Sequence, residues 1–241
     1  DIEIGREAAA QVRQQYEVAQ SPALQAYVDR IGQKLASTPA AGNFPYSFTV
    51  LNNPSVNAFA LPGGPVFVNS GLIAEVNSEA ELAGVIAHEI AHVQLRHGTN
   101  QVSKATVIQL PATVAGAALG GSATAQIVQA GLGVGLNGLF LSYSRDAESD
   151  ADALGARIMS QAGYDPMAMA RFFQTLEASG GARGPQFLSS HPNPGNRVAA
   201  IRAEVAAMPQ KRYTADVPGG IETAKREVAA LPPPRRTPST N

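Results

Sequence analysis

Two histidines four residues apart with a glutamate after the first, His88-Glu89-Ile90-Ala91-His92, are the residues of this chain best placed to do chemistry. On a helix of about 3.6 residues per turn, positions i and i+4 share a face, so both imidazoles can reach one ion. Zinc suits that donor pair. Glu89, one step round from His88, would overhang the open coordination position, where it can take a proton from water. The chemistry that follows is metal-assisted hydrolysis of a peptide bond.

Such a site needs a delimited helix with a buried face. Ser78 and Glu81 form a capping box, Gly98 after Arg96 and His97 offers a stop, and Leu82, Val85, Ile86 and Val93 make an apolar stripe beside the histidines. Two histidines and a water leave a tetrahedral zinc one protein ligand short. A third histidine continuing the motif is excluded, because Leu95 stands where that pattern needs glycine and Gly98 where it needs histidine. His97, five residues past His92, falls on the far side of an uninterrupted helix and reads as a helix-end cation. The stretch from Ser144 to Gly155 is the better source. It is helical in pattern, with Leu154 and Ile158 inside and a stop at Gly163. Glu148 and Asp152 share one of its faces, so Glu148 can bind the zinc while Asp152 accepts the spare N–H of a ligand histidine.

Two helices are expected before residue 40, one through Arg6 to Gln15 and one opening at Ser21-Pro22 and continuing through Leu24, Val28, Ile31 and Leu35. Strands follow at Ser47 to Leu51, Asn57 to Leu61 and Val66 to Asn69, the last two joined across Pro62-Gly63-Gly64. They read as a small antiparallel sheet. Asn57, Ala58, Phe59 and Ala60 form either an edge that receives an extended substrate as an added strand or an ordinary core hairpin. Ala105 to Ser144 holds no charged residue and is rich in Gly, Ala, Ser and Gln. A membrane span there would put His92 and Glu148 on opposite sides of a bilayer, so the segment is expected as small-residue helices, a lid over the cleft, or a membrane-surface contact.

With 241 residues and 44% hydrophobic content, the chain can build a real core. A net charge of -1 supplies no basic field for phosphate backbones, so nucleic acid is not an expected partner. There is no cysteine, hence no disulfide and no thiolate ligand, and a structural zinc site, usually thiolate-rich, is disfavoured. The chain opens at Asp1 with no apolar leader, as expected either of a mature form from which an export signal has been removed or of a trimmed piece rather than a full translation product.

From about Glu3 to Met208 the chain resembles the gluzincin metalloendopeptidases that include HtpX, the CAAX prenyl proteases and the periplasmic BepA-like proteases. The resemblance rests on Asn57-Ala58-Phe59, the His88-to-His92 motif, Glu148 with Asp152 and Tyr164-Asp165-Pro166 behind it, and Ser190-His191-Pro192 with Arg197. It implies one Zn2+ per chain on His88, His92 and Glu148, with Glu89 as base and His191 and Arg197 near the cleft. The expected fold is α+β, a mainly helical zincin-type domain over residues 1–210 with a small antiparallel sheet beside the metal helix. Residues 211–241 would form an extension ending in a proline-rich disordered tail. The chain departs from the family's pattern in two ways: it shows no transmembrane helices, so it looks like the soluble envelope branch, and no tetratricopeptide array after Arg197; the bacterial envelope and periplasm are expected from the resemblance alone.

The expected activity is cleavage of extended or misfolded polypeptides in envelope quality control. His191 is expected as an oxyanion donor, a self-inhibiting cap on the zinc, or a structural residue. Arg197 is expected as a donor or as the salt-bridge partner of Asp152. The competing function is a latent zinc protein acting as a chaperone or binding module, against which the intact Glu89 counts.

Overall fold

A computed structural model describes residues 1–101, 142–178, 186–193 and 195–234. Most of the 105–144 segment, and with it the expected lid or membrane contact, lies outside these residues. Among the described residues no helix is long and apolar enough to cross a membrane.

The N-terminal half places a three-stranded sheet between helices. Helix α1 (Ile2–Gln15) and helix α2 (Pro22–Ala36) precede strands β1 (Ser47–Leu51), β2 (Ala58–Ala60) and β3 (Pro65–Asn69). Ser21 caps α2, its Oγ accepting from Leu24 N at 3.1 Å, with Pro22 at the first turn. The sheet order is β1-β3-β2. The expected antiparallel pairing holds between β2 and β3, whereas β1 joins β3 in parallel register, so the sheet is mixed. Strand alternation divides two cores. Leu51, Phe59 and Phe67 meet Ala8, Ala9 and Val12 of α1 on one face, while Phe48, Val50, Val66 and Val68 join the main core on the other.

Short helix α3 (Ser70–Glu75) leads into α4 (Glu79–Gln94), which is buried at every position except its last. The expected single apolar stripe therefore understates this helix, which is central and enclosed all round. Ser78 Oγ accepts from Glu81 N at 3.2 Å, and Glu81 reaches back to Asn77 N at 2.6 Å. The C-terminal stop is not Gly98. Helix α4 ends at Gln94, and Arg96 turns the chain with a left-handed φ of 57°.

The second half is helical: α5 (Arg145–Ala162), α6 (Met167–Ala178), α7 (Gln186–Ser190), α8 (Arg197–Ala207) and α9 (Gly220–Ala229). Ser144 caps α5, and Gly163 ends it in left-handed conformation at φ 87°. Helix α5 packs along α4 at Gly155, where a Cβ would sit 3.3 Å from the His88 backbone. Residues 211–234, expected as an extension, lie against the domain. Ala215 N bonds Gly163 O, Ser21 Oγ bonds Glu227, Ile221 and Ala224 are buried, and Asn52 Nδ2 donates to Pro232 O.

Candidate active site

The enclosed helix α4 carries His88, Glu89 and His92 into the core, where none is more than 2% exposed. Across from it, the first turn of α5 supplies Glu148 and the next turn Asp152, and the residue after α7 supplies His191. Their polar atoms converge. His88 Nε2 lies 3.0 Å from His92 Nε2, 3.4 Å from Glu148 Oε2 and 3.2 Å from His191 Nδ1. Glu148 Oε1 is 3.4 Å from His92 Nε2 and 3.0 Å from His191 Nδ1. All four donor atoms lie within 4.8 Å of one another.

These separations fit a metal. Four ligands about 2.0–2.1 Å from one ion in a tetrahedron stand about 3.3–3.4 Å apart, close to the edges measured here. The orientation of His88 supports the same reading. Its Nδ1 lies 3.0 Å from Asp152 Oδ1. With the ring proton held toward that carboxylate, the Nε2 lone pair faces inward, beside the Glu148 oxygens. Lone pairs converging in a dry interior call for a cation.

Behind the cluster stands Arg197, the first residue of α8, 1% exposed. Its Nε donates to Asp152 Oδ2 and an Nη to Glu148 Oε2, both at 2.7 Å, and its guanidinium lies 3.9 Å from the centre of the Phe173 ring. Of the two expected roles, the geometry matches the salt bridge. Arg197 braces the two carboxylates. His191 is held by its own stack, with the Phe187 ring 4.4 Å away at 14° and Phe173 beyond it.

Electrostatics sort the groups. Burial alone would depress His88, but bonds to Asp152 and Glu148 outweigh it and push its pKa up to about 9. Burial would raise Glu148, yet hydrogen bonds with His191, His88 and His92 hold it well below the usual carboxylate range. His92 is driven far down by burial, and Glu89 is raised by burial against the nearby imidazoles. A buried glutamate with raised proton affinity suits a general base. His191 Nε2 lies 3.4 Å from Glu89 Oε1.

The expected edge is also here. In the β2–β3 register, Leu61 and Asn57 bond to β3 along with Phe59, so the backbone groups of Ala58 and Ala60 point away from β3. Strand β2 ends the sheet on the side of α4, and Ala60 lines a small cavity together with His92 and Tyr143.

Two neighbours of His92 were not legible as site residues. The ring of Tyr143, just before the α5 cap, stacks on His92 at 4.0 Å and 21°. His97, expected as a helix-end cation, instead places its Nδ1 2.9 Å from His92 Nδ1. Its pKa is lowered by burial, which is unlike a cation.

A model of peptidase family M48 matches residues 22–205. The chain belongs to peptidase family M48. The buried cluster of His88, His92, Glu148 and His191 is of a kind that could hold a metal ion in such a domain. Among named M48 relatives, a putative beta-barrel assembly-enhancing protease of Vibrio cholerae is 33% identical over 82% of this chain and 42% of its own length. The beta-barrel assembly-enhancing protease of Escherichia coli is 32% identical over 84% of this chain and 43% of its own. The mitochondrial metalloendopeptidase OMA1 of Schizosaccharomyces pombe is 32% identical over 79% of this chain and 56% of its own. The chain thus spans less than half the length of the two bacterial relatives.

Proposed function

We propose that this chain is the catalytic domain of a zinc-dependent metalloendopeptidase that cuts extended or misfolded polypeptides in the bacterial envelope. The observation that carries the reading is the convergence of His88, His92 and Glu148 on one buried point with Glu89 beside them. Donors of two imidazoles and a carboxylate, with no thiolate in the chain, suit a hydrolytic zinc. The envelope assignment leans on the names of the bacterial relatives.

In this mechanism His88, His92 and Glu148 would hold the ion, which would supply Lewis-acid polarisation at the site when bound. Glu89 takes a proton from the water that attacks the carbonyl carbon. It then delivers that proton to the amine nitrogen as the C–N bond breaks. Asp152 keeps the His88 lone pair turned inward, and Arg197 is a positioning residue that fixes Glu148 and Asp152. The outward backbone groups of Ala58 and Ala60 align the substrate as an added strand, which reads peptide backbone without demanding a sequence.

His191 favours a second reading. Its Nδ1 sits among the other three donors at 3.0–3.2 Å from two of them, where it occupies the place water needs. In this conformation His191 caps the site, and the domain rests in a latent, zinc-holding state that binds polypeptide more than it cuts.

Zinc content and casein cleavage on wild type, Glu89→Gln and His191→Ala separate the readings. One zinc in all three, with cleavage lost in Glu89→Gln and faster in His191→Ala, supports a capped peptidase. Retained cleavage in Glu89→Gln would remove the general-base assignment, and zinc without cleavage in wild type and His191→Ala would favour the binder.

A further inference from the structure

The two histidines of α4 are backed differently. The outer nitrogen of His88 faces a carboxylate, whereas the outer nitrogen of His92 faces His97 Nδ1 at 2.9 Å. His92 Nε2 meanwhile points at His88 Nε2 and Glu148 Oε1. This contact exists only because the helix stops early. Arg96 is the single non-glycine residue with positive φ among the described residues, and its left-handed turn brings the His97 ring back to 5.0 Å from the His92 ring. A left-handed conformation is unfavourable for a non-glycine residue, so the surrounding structure has to hold it in place. The Arg96 side chain is largely exposed and pairs with Asp1. It therefore gives the turn no packing reason of its own.

Ring nitrogens 2.9 Å apart bond only when one carries a proton and the other does not. A neutral imidazole bound to a metal through Nε2 has its one proton on Nδ1. His92 must then be the donor and His97 Nδ1 the acceptor, with the His97 proton on its own Nε2. We infer that His97 is a positioning residue that fixes the tautomer and ring direction of His92, the part Asp152 plays for His88. The inference rests on the proposal that His88, His92 and Glu148 hold the metal. The Tyr143 ring, stacked on His92 and 6.1 Å from His97, closes the other side of the pair.

The test compares shape with hydrogen bonding. His97→Phe keeps a ring and removes the acceptor, while His97→Asn places an amide oxygen close to where Nδ1 stood. Zinc affinity is read by competition with a chromophoric chelator, and cobalt-loaded samples report ligand geometry through their visible absorption. The expected result is zinc binding about ten- to a hundredfold weaker in His97→Phe, with an altered cobalt spectrum, and both restored toward wild type in His97→Asn. Unchanged affinity in His97→Phe, or equal losses in both variants, would overturn the inference. Nitrogen NMR of zinc-loaded wild type gives a check free of any substitution: His97 should carry its proton on Nε2, and a proton on Nδ1 would overturn the role. His88→Ala guards the underlying reading. If it keeps full zinc affinity, the metal assignment has failed rather than the part given to His97.

Discussion

The two flanks of the candidate metal site are built on opposite principles. On the α5–α8 flank, Glu148, Asp152 and Arg197 form a dry ionic network in which one guanidinium serves two carboxylates and every member is 1% exposed or less. On the flank formed by the end of α4 and Tyr143, His92 is held by neutral groups: a lowered-pKa imidazole and a stacked phenol ring. Ionic bracing ties the ligand geometry to the stability of the fold, because each buried charge needs its partner. Neutral bracing orients a ligand without that dependence. The site should therefore fail by unfolding on one flank and by loosening on the other.

The sharpest way to break this contrast is Arg197→Ala. It strands two buried carboxylates and should destabilise the metal-free protein by about 3–5 kcal/mol in urea unfolding. A loss under about 1 kcal/mol would mean that the flank is not ionically braced. Asp152→Asn acts more narrowly. It removes the anion behind His88 and should weaken zinc binding about ten- to a hundredfold in a chelator competition, with a smaller loss of fold stability.

A pH series separates the flanks without substitution. His88 has a raised pKa, so its contribution to the metal-free fold is present below the unfolded value near 6.5 and is lost as pH rises through about 9. His92 and His97 have lowered values, so stability falls as pH drops below about 6.5, where the unfolded chain takes up protons that they resist. Metal-free protein should be most stable near pH 6.5 in a series of unfolding curves, and a steady rise or fall through that pH would contradict the assignment. The smallest effect is expected from Tyr143→Phe, which keeps the stack. Stability should hold within about 0.5 kcal/mol, and a tenfold or greater loss of cleavage would give the hydroxyl a chemical part.

Local signals explain what the sequence made legible. The i, i+4 spacing of His88 with His92 and of Glu148 with Asp152 survives folding because each pair lies within one helix, and the caps at Ser21, Ser78, Ser144 and Gly163 are written within a turn of their helix ends. The parallel pairing of β1 with β3 was not legible, since strand order depends on contacts between segments that alternation within each strand does not encode. His97 was misread for a different reason. Its place follows from one left-handed residue, Arg96, and the spacing argument assumed an unbroken helix. For Arg197 the salt bridge was already one of two expected roles, and its ion pairs with Glu148 and Asp152 are the ones the structure shows. The packing of α9 against α2 and α3 rests on Ile221 and Ala224, too sparse an apolar pattern to announce itself.

The central claim is that one zinc sits where His88, His92 and Glu148 meet. Anomalous diffraction at the zinc edge, on crystals of zinc-loaded protein, tests it most directly. A single peak about 2.0–2.2 Å from His88 Nε2, His92 Nε2 and a Glu148 oxygen is the expected result. A peak elsewhere, or one at this place that leaves out His92 or Glu148, would contradict the account.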